Sequence, residues 1–477
     1  MENFNVVLDK WVPVINTDGN VLCVSPLEIF ENDYVSFAGT AVENYCLLRF
    51  FIALSQSSEK NQPKDIDEWE SLRPIFQKNV INYIDSNKIL FYMFGDKPFL
   101  QSADNELSPG YKTKKLRLKE SMCDGNNPIQ FSTQLFEYKN VKDVVLDLIV
   151  HHIYSTTFER SFPPSRAMVY KNSPNGNINF YGQLPSLLET IWYNMIYGNN
   201  FGKPVWESRF NQSYTSTELN KLCPLTVKIK IFDDLKTMIY QNGLVYNDIV
   251  SDDSFYAIVN SNYSEKVGNT VKSIAISRPM AYKDNFKFWD GFDIILSLSS
   301  PPQSLTNFRI KRVSTLTINA VGVQISSNCG FSKTSSIKDY CYEIKNPNKI
   351  HTQQYNNFYK KCVAKTNECF EILKDTLSKQ VKALRKNDVK KFLKCDDKNI
   401  NKVYVNPYTS TFFNFIDNES RKLFEYDGTQ EDESDWNLIL KSVLETSITN
   451  LLTDDNFVLY NKVVNSIAWK SIIGGLK

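Results

Sequence analysis

Apolar positions in the last third of the chain recur with a helical period. Val363, Phe370, Leu373, Leu377, Val381 and Leu384 follow one another at spacings of 7, 3, 4, 4 and 3 residues, which draws one stripe along a helix. Shorter helical patterns near 388–400, 408–425, 434–452 and 455–470 predict a helical bundle of the four-helix type. The N-terminal part is patterned differently. Phe4 to Leu8 and Trp11 to Ile15 are short β-prone runs, and Thr17-Asp-Gly-Asn20 is a turn signal before a return strand at Val21 to Val24. Val42 to Leu54 predicts a buried helix, Asp65 to Asp85 has helical spacing, and Val141 to Thr157 and Leu184 to Tyr197 predict two more. From 224 to 330, β-prone runs (Leu225 to Phe232, Phe255 to Val259, Ile294 to Leu298, Thr315 to Ile325) alternate with polar loops. The expectation is an α+β protein: a large irregular mixed α/β domain over 1–348, then a helical bundle over 349–477.

Two stretches break the pattern. Between Ser108-Pro-Gly110 and Gly125-Asn-Asn-Pro128 lies a run with Lys112, Lys114, Lys115, Arg117 and Lys119, five positive charges in eight residues. Residues 161–178 hold Pro163-Pro-Ser-Arg166 and Asn172-Ser-Pro-Asn-Gly176. Long polar loops inside a domain often carry function, though a solvated face explains the charges equally well.

Charge changes the picture only locally. The chain has 477 residues, with 55 Lys and Arg against 53 Asp and Glu, a formal net charge of +2. No histone-like polycation is implied. From Phe331 to Lys402, however, 17 basic residues face 8 acidic ones, and from Val403 to Tyr460 the ratio is 3 to 11. Part of that contrast is helix–helix pairing. The remainder is either a solvated lysine face or the electrostatic footprint of phosphate contacts.

Several chemistries find no support. The 17 glycines are few for a cofactor fold. Gly198-Asn-Asn-Phe-Gly202-Lys203-Pro204 is one residue short of a phosphate loop and puts proline where a metal-binding hydroxyl belongs. The three histidines include one adjacent pair, His151 and His152, with Asp147 on the same helix face, too little for a zinc or histidine-based nuclease site. Nine scattered cysteines without a C-x-x-C pair do not form a disulfide framework; Cys362 and Cys369 read as small core residues. No apolar run is long enough to cross a membrane, and the opening MENFNVVLDK lacks the basic and apolar regions of a secretory signal. A cytoplasmic binding protein with no cofactor, not an enzyme, is the expectation.

Four motifs, in order, carry a resemblance. They are Leu8-Asp9-Lys10-Trp11-Val12-Pro13-Val14, a Leu-Ser-Gln helix end at Gln56, Lys97-Pro98-Phe99-Leu100-Gln101, and Gly125-Asn126-Asn127 followed by Phe131. Together with the length and the C-terminal bundle they resemble the CasA family, large subunits of the type I-E CRISPR surveillance complex Cascade. The detailed match covers about the first 130 residues; beyond them only the layout agrees. The resemblance implies a non-catalytic subunit of a crRNA-guided complex. Such a subunit recognises the protospacer-adjacent motif (PAM) in double-stranded DNA, starts strand separation and R-loop formation, and helps recruit a helicase-nuclease for antiviral defence. The partners implied are the backbone, small and handle-binding Cascade subunits, crRNA and target DNA, with no membrane.

It also implies sites. Asn126, Asn127 and Phe131 match a loop that touches crRNA and neighbouring subunits, with Lys114, Lys115 and Arg117 before it. A PAM-reading lysine shortly before a tryptophan corresponds to Lys283, or Lys287, before Trp289. The family's glycine loop is expected within 162–176, where Pro163-Pro164-Ser165-Arg166-Ala167 replaces the glycines. Backbone approach is then doubtful, and Arg166 is the candidate to enter a narrow minor groove instead. Ser327, Asn328 and Cys329 align with a wedge that holds the first base pair apart, although Asn and Gly also suit a plain turn. On the bundle, Lys379, Lys382, Arg385 and Lys386 form a candidate face for a DNA strand. Three competitors remain: a large subunit of another type I subtype, a metal-dependent nuclease built on Asp/Glu clusters, and a scaffold that never touches DNA.

Overall fold

The computed structural model describes residues 3–59, 63–107, 109, 113–116, 118, 137–154, 177–196, 201–207, 213–214, 218–225, 228–241, 245–246, 255, 258–267, 270–280, 287–297, 302–309, 313–328, 331–386, 400–452 and 456–476. The chain divides into two compact units. The first comprises Met1–Asn285, Ser300–Arg312 and Thr317–Cys341; the second comprises Phe286–Ser299, Val313–Leu316 and Tyr342–Lys477. The second unit takes two short segments from within the region expected to be N-terminal.

In the first unit, β1 (Val12–Ile15) and β2 (Val21–Val24) form the expected hairpin, in register from Val12↔Val24 to Ile15↔Val21. The turn is closed by Asn16, whose Oδ1 accepts from Asp18 N at 3.1 Å and Asn20 N at 2.8 Å, while Gly19 takes φ +81°. β3 (Ser36–Phe37) pairs with the other edge of β1. The β-prone run Phe4 to Leu8 is not a strand. It makes a single bridge, Asn5 to Tyr92, and then turns.

α1 (Ala41–Ser57) starts at a Thr40–Glu43 capping box, and Tyr45 to Gln56 are buried all the way round. The helical run from Asp65 is two helices, Ile66–Ser71 and α2 (Phe76–Asn87); Pro74 cannot continue a helix interior. Next come α3 (Val141–Tyr154), β4 (Ile178–Gln183) and α4 (Leu187–Tyr193), the last capped by Ser186 and shorter than expected. β5 (Lys228–Ile231) pairs with β6 (Thr237–Gln241), whose other edge takes the two-residue strand Lys114–Lys115. β7 (Ile258–Val267) and β8 (Thr270–Pro279) form a separate antiparallel hairpin. β9 (Thr315–Asn328) and β10 (Phe331–Lys345), adjacent strands joined by two residues, lie mostly in this unit as well.

In the second unit the run Ile294 to Leu298 is not a strand. It belongs to α5 (Phe288–Ser297), with Phe288, Phe292 and Ile295 buried at i, i+4 and i+7, a helical spacing that overrides the β propensity of the Ile-Ile pair. α6 (Gln353–Lys386) has 34 residues, about 51 Å at 1.5 Å per residue. Five of the six stripe residues are buried, and Phe370 is half-buried against Phe413. α7 (Asn406–Glu419), α8 (Gln430–Thr449), α9 (Phe457–Val464) and α10 (Ile467–Gly475) follow. Phe288 stacks on Tyr342 with ring centres 4.4 Å apart, and Phe292 and Tyr359 meet Phe424. This aromatic cluster explains why residues 286–299 belong with the bundle.

Candidate nucleic-acid interface

Three of the four motifs behind the resemblance fold into clamps on the backbone. In the first, Asp9 Oδ2 accepts from Asn5 N at 2.6 Å and buried Trp11 Nε1 donates to Val6 O at 2.6 Å. In the second, Ile196 N donates to Gln56 Oε1 at 3.2 Å and Gln56 Nε2 donates to Ile196 O. In the third, Gln101 Nε2 donates to Met93 O at 2.8 Å and Oε1 accepts from Ile231 N at 2.8 Å, tying the loop to β5. A buried backbone group without a partner is costly, so each amide holds two chain segments in place. The fourth motif, Asn126, Asn127 and Phe131, lies outside the described residues.

Arg49, which interrupts the apolar run of α1, is fully buried. Its Nε donates to Leu222 O at 2.9 Å, Nη2 donates to Lys221 O, and Nη1 donates to Tyr45 Oη at 2.6 Å. It therefore satisfies carbonyls at the end of the short helix Glu218–Leu222. Tyr45 Oη passes the network on to Asn179 of β4 at 3.0 Å.

β4 supports the strand that reaches toward the expected wedge. It pairs with β9 from Thr317↔Gln183 to Gly322↔Ile178. Gly182 is required there, because a Cβ would lie 2.3 Å from the Phe308 ring. Beyond Gly322, β9 runs on to Asn328 with, among the described residues, β10 as its one strand neighbour. Those six residues extend about 20 Å at ~3.3 Å each. Ser327 and Asn328 are the last two positions of the strand at the tip of this arm; Cys329 lies outside the described residues.

The structure separates the two candidate lysines. Lys283, Arg166 and Arg117 lie outside the described residues. Lys287 is half-buried and its ammonium is engaged by Asp417 Oδ2, while Trp289 Nε1 donates to Asp417 Oδ1 at 3.0 Å. Its Nζ also lies 5.5 Å from the Phe413 ring centre. Its charge is thus engaged in holding α5 against α7, which favours Lys283 of the two candidates. Asp417 was missed because nothing in the sequence links it to a partner 130 positions away.

The basic stripe of α6 is narrower than its composition. Lys361 pairs with Glu433 at 3.2 Å, Lys365 with Glu368 at 2.9 Å and Lys374 with Glu371 at 2.9 Å. Lys379 and Lys382 are exposed and have no ion-pair partner among the described residues. Arg385 and Lys386 end the helix, and their side chains are outside the described set. In the first unit, Lys115 is exposed, and Lys114 pairs through its backbone with Met238.

Burial keeps the histidine pair neutral: His151 is held down at about 3, by burial first and then by His152, and His152 at about 4. A His152 ring nitrogen meets Leu100 O at 2.9 Å, and Asp147 accepts from Tyr138 Oη at 2.7 Å. Among the described residues, no three His, Cys, Asp or Glu side chains converge as a metal site, and no helix is long and apolar enough to cross a membrane.

A two-unit α+β chain with a two-stranded arm and a helical bundle defines the class. The chain belongs to the family of CRISPR-associated protein Cse1, whose model matches residues 5–445. Its fold is similar to that of CasA from Thermus thermophilus, with a TM-score of 0.77 at 15% identity over 99% of this chain and 100% of that one. Cse1 from Acidimicrobium ferrooxidans matches with a TM-score of 0.75 at 13% identity, over 100% of this chain and 98% of that one. A chain from a structure titled CRISPR RNA-guided surveillance complex matches with a TM-score of 0.61 at 11% identity, over 99% of each. No curated protein matches the chain.

Proposed function

We propose that this chain is the non-catalytic large subunit of a type I-E crRNA-guided surveillance complex. It recognises the PAM in double-stranded DNA, begins strand separation and helps recruit a helicase-nuclease. Its partners are the other Cascade subunits, crRNA and the target duplex. Membership of the Cse1 family carries this reading, and the β9–β10 arm supports it. Ser327 and Asn328 are the last two residues of β9, in a stretch whose one strand neighbour among the described residues is β10. An amide inserted beside the PAM offsets the loss of a base stack, about 1.4 kcal/mol per step. Lys283 is the lysine left for the minor groove once Lys287 is committed to Asp417, with Arg166 as its companion. A minor-groove reader distinguishes mainly A·T from G·C, so tolerance of several PAMs follows. Lys379 and Lys382, with Arg385 and Lys386, line the bundle's approach for a single strand. Asn126, Asn127 and Phe131, after Lys114, Lys115 and Arg117, serve the crRNA and neighbouring subunits.

The experiment is duplex binding by the assembled complex with and without this chain, using a randomised flank beside a matched protospacer. Flank-selective binding that weakens with salt is expected only with the chain. Asn328→Ala and Lys283→Ala should each reduce flank selectivity about tenfold. Equal binding with and without the chain makes it a scaffold, and metal-dependent cleavage by the isolated chain makes it a nuclease.

A further inference from the structure

The first unit contains a half-open cavity of about 190 Å³, walled by the loop Lys97 to Ala103 together with Glu106 and Val205–Glu207. A cavity of about 150 Å³ takes up benzene, so this one has room for a single ring system. Its apolar walls are the aliphatic Leu90, Leu100, Val205 and Leu225 with Pro98, the buried Phe99 and the half-buried ring of Trp206. Trp206 is held in orientation, because its Nε1 donates to Tyr83 Oη at 2.9 Å and Tyr83 in turn donates to Glu207 Oε1. Glu207 Oε2 makes no bond among the described residues and remains available. Glu106 Oε2 accepts from Ala103 N at 2.8 Å, leaving Oε1. Lys97 lines the same cavity and has no ion-pair partner among the described residues. The wall itself is under strain: Leu100 takes φ +51°, and its carbonyl meets a ring nitrogen of buried His152 at 2.9 Å.

We infer that this cavity binds one unstacked guanine base of a single-stranded nucleic acid. The half-buried indole of Trp206 offers a ring on which a base can stack. Two fixed carboxylates accept from the N1–H and N2–H₂ donors on the guanine edge, which adenine and uracil do not present together. Lys97 meets the attached phosphate. An arginine side chain from a protein neighbour would also suit the carboxylates but would leave Lys97 without a use; a nucleotide uses both signs of charge. The inference goes beyond the proposed reading of the duplex flank and does not depend on it.

The test is anisotropy binding of the full chain to short uracil or thymine oligomers carrying one central guanine or one central adenine. The guanine oligomers should bind about tenfold tighter. Preference in the RNA set or in the DNA set identifies the strand, and either supports the inference. Glu106→Gln with Glu207→Gln keeps an acceptor for Ala103 N and for Tyr83 Oη, and should erase the preference. Lys97→Ala should weaken both oligomers and reduce the salt slope by about one. Guanosine monophosphate, but not adenosine monophosphate, should displace the guanine oligomer from the unaltered chain, which requires no variant. Absence of guanine preference in both sets overturns the inference, as does a preference that survives the double substitution. Assembly with protein subunits lost in the double variant, without any base preference, would instead assign the cavity to a cation. Flank-selective duplex binding is read separately, so either result stands without the other.

Discussion

The two units are stabilised by different physics. The bundle unit is built on long helices that satisfy their own backbone, so its side chains are free to be apolar. α6 buries Leu373, Leu377 and Val381 completely, and the buried indole Nε1 of Trp436 donates to Thr366 Oγ1 at 3.2 Å. The first unit consists of short strands, short helices and loops, whose backbone groups must find partners elsewhere. Asn5, Arg49, Gln56, Gln101, Asn179 and Asn194 are all buried, and each bonds a backbone group of another segment or reaches one through a neighbour. An irregular fold is thus held by polar staples at fixed positions, and a bundle by a repeated apolar stripe.

Removing one staple and one stripe residue should destabilise different units. Arg49→Met keeps bulk but leaves the carbonyls of Lys221 and Leu222 and the Tyr45 hydroxyl without their donor. The expected cost is about 3 kcal/mol or more. Leu377→Ala in the bundle should cost about 2–5 kcal/mol. Hydrogen exchange resolved by unit should show the losses in the first and second unit respectively. If Arg49→Met costs less than about 1 kcal/mol, below the usual penalty for orphaned buried polar groups, the first unit rests on apolar packing and the distinction fails.

This difference also explains what was legible in the sequence. The stripe from Val363 to Leu384 repeats, so the long helix could be read directly. The β1–β2 hairpin was legible because Asn16 and Gly19 carry turn chemistry. The motifs Leu8 to Val14, Gln56 and Lys97 to Gln101 identified the family, but their role did not show. A glutamine that clamps a backbone 140 positions away has the same local pattern as one in solvent. Ile294–Ile295 was misread because two β-branched residues outweighed Phe288 and Phe292, whose spacing marks the buried face of α5. At the candidate interface, Lys283 and Lys287 were indistinguishable by sequence, since Asp417 is distant in the chain. The cavity was invisible for the same reason: Lys97, Glu106 and Glu207 converge only after folding.

Acid acts differently on the two units. In the first unit, burial lowers the pKa of His151 to about 3 and of His152 to about 4, from 6.5. The unfolded chain therefore takes up these protons first. Stability conferred by the neutral pair is full above about pH 6.5 and falls as pH drops toward 4, by on the order of 1 kcal/mol per unit for each histidine. His152→Gln, which retains an N–H for Leu100 O, should flatten that slope in the first unit. Unfolding midpoints in urea between pH 7 and pH 4 provide the measurement. An unchanged slope would show that the histidines are not what acid acts on.

The smallest effect belongs to the bundle and appears at lower pH. Thr429 and Asp432 form a capping box at the start of α8. Asp432 N donates to Thr429 Oγ1 at 3.2 Å, and Asp432 Oδ2 accepts from Thr429 N at 2.8 Å. The same oxygen also accepts from Gly428 N at 2.9 Å and Asp427 N at 3.2 Å, an arrangement that uses the positive φ of Gly428. Burial alone would raise the Asp432 pKa, but the backbone donors outweigh it and hold the carboxyl below its usual 3.8. A lowered carboxyl stabilises the fold above its unfolded pKa and ceases to do so as pH falls through the folded one. Asp432→Asn keeps an acceptor and loses the charge at a helix N-terminus, where a negative charge is favoured. It should cost about 0.5–1 kcal/mol at pH 7, and that cost should vanish as pH falls through the lowered pKa of the native carboxyl. Because this loss is confined to the second unit and the histidine slope to the first, one acid titration followed by unit-resolved exchange separates them. A first unit that weakens as pH falls from about 6.5 to 4, beside a bundle that holds until the carboxylates titrate, is the pattern polar staples and an apolar stripe predict.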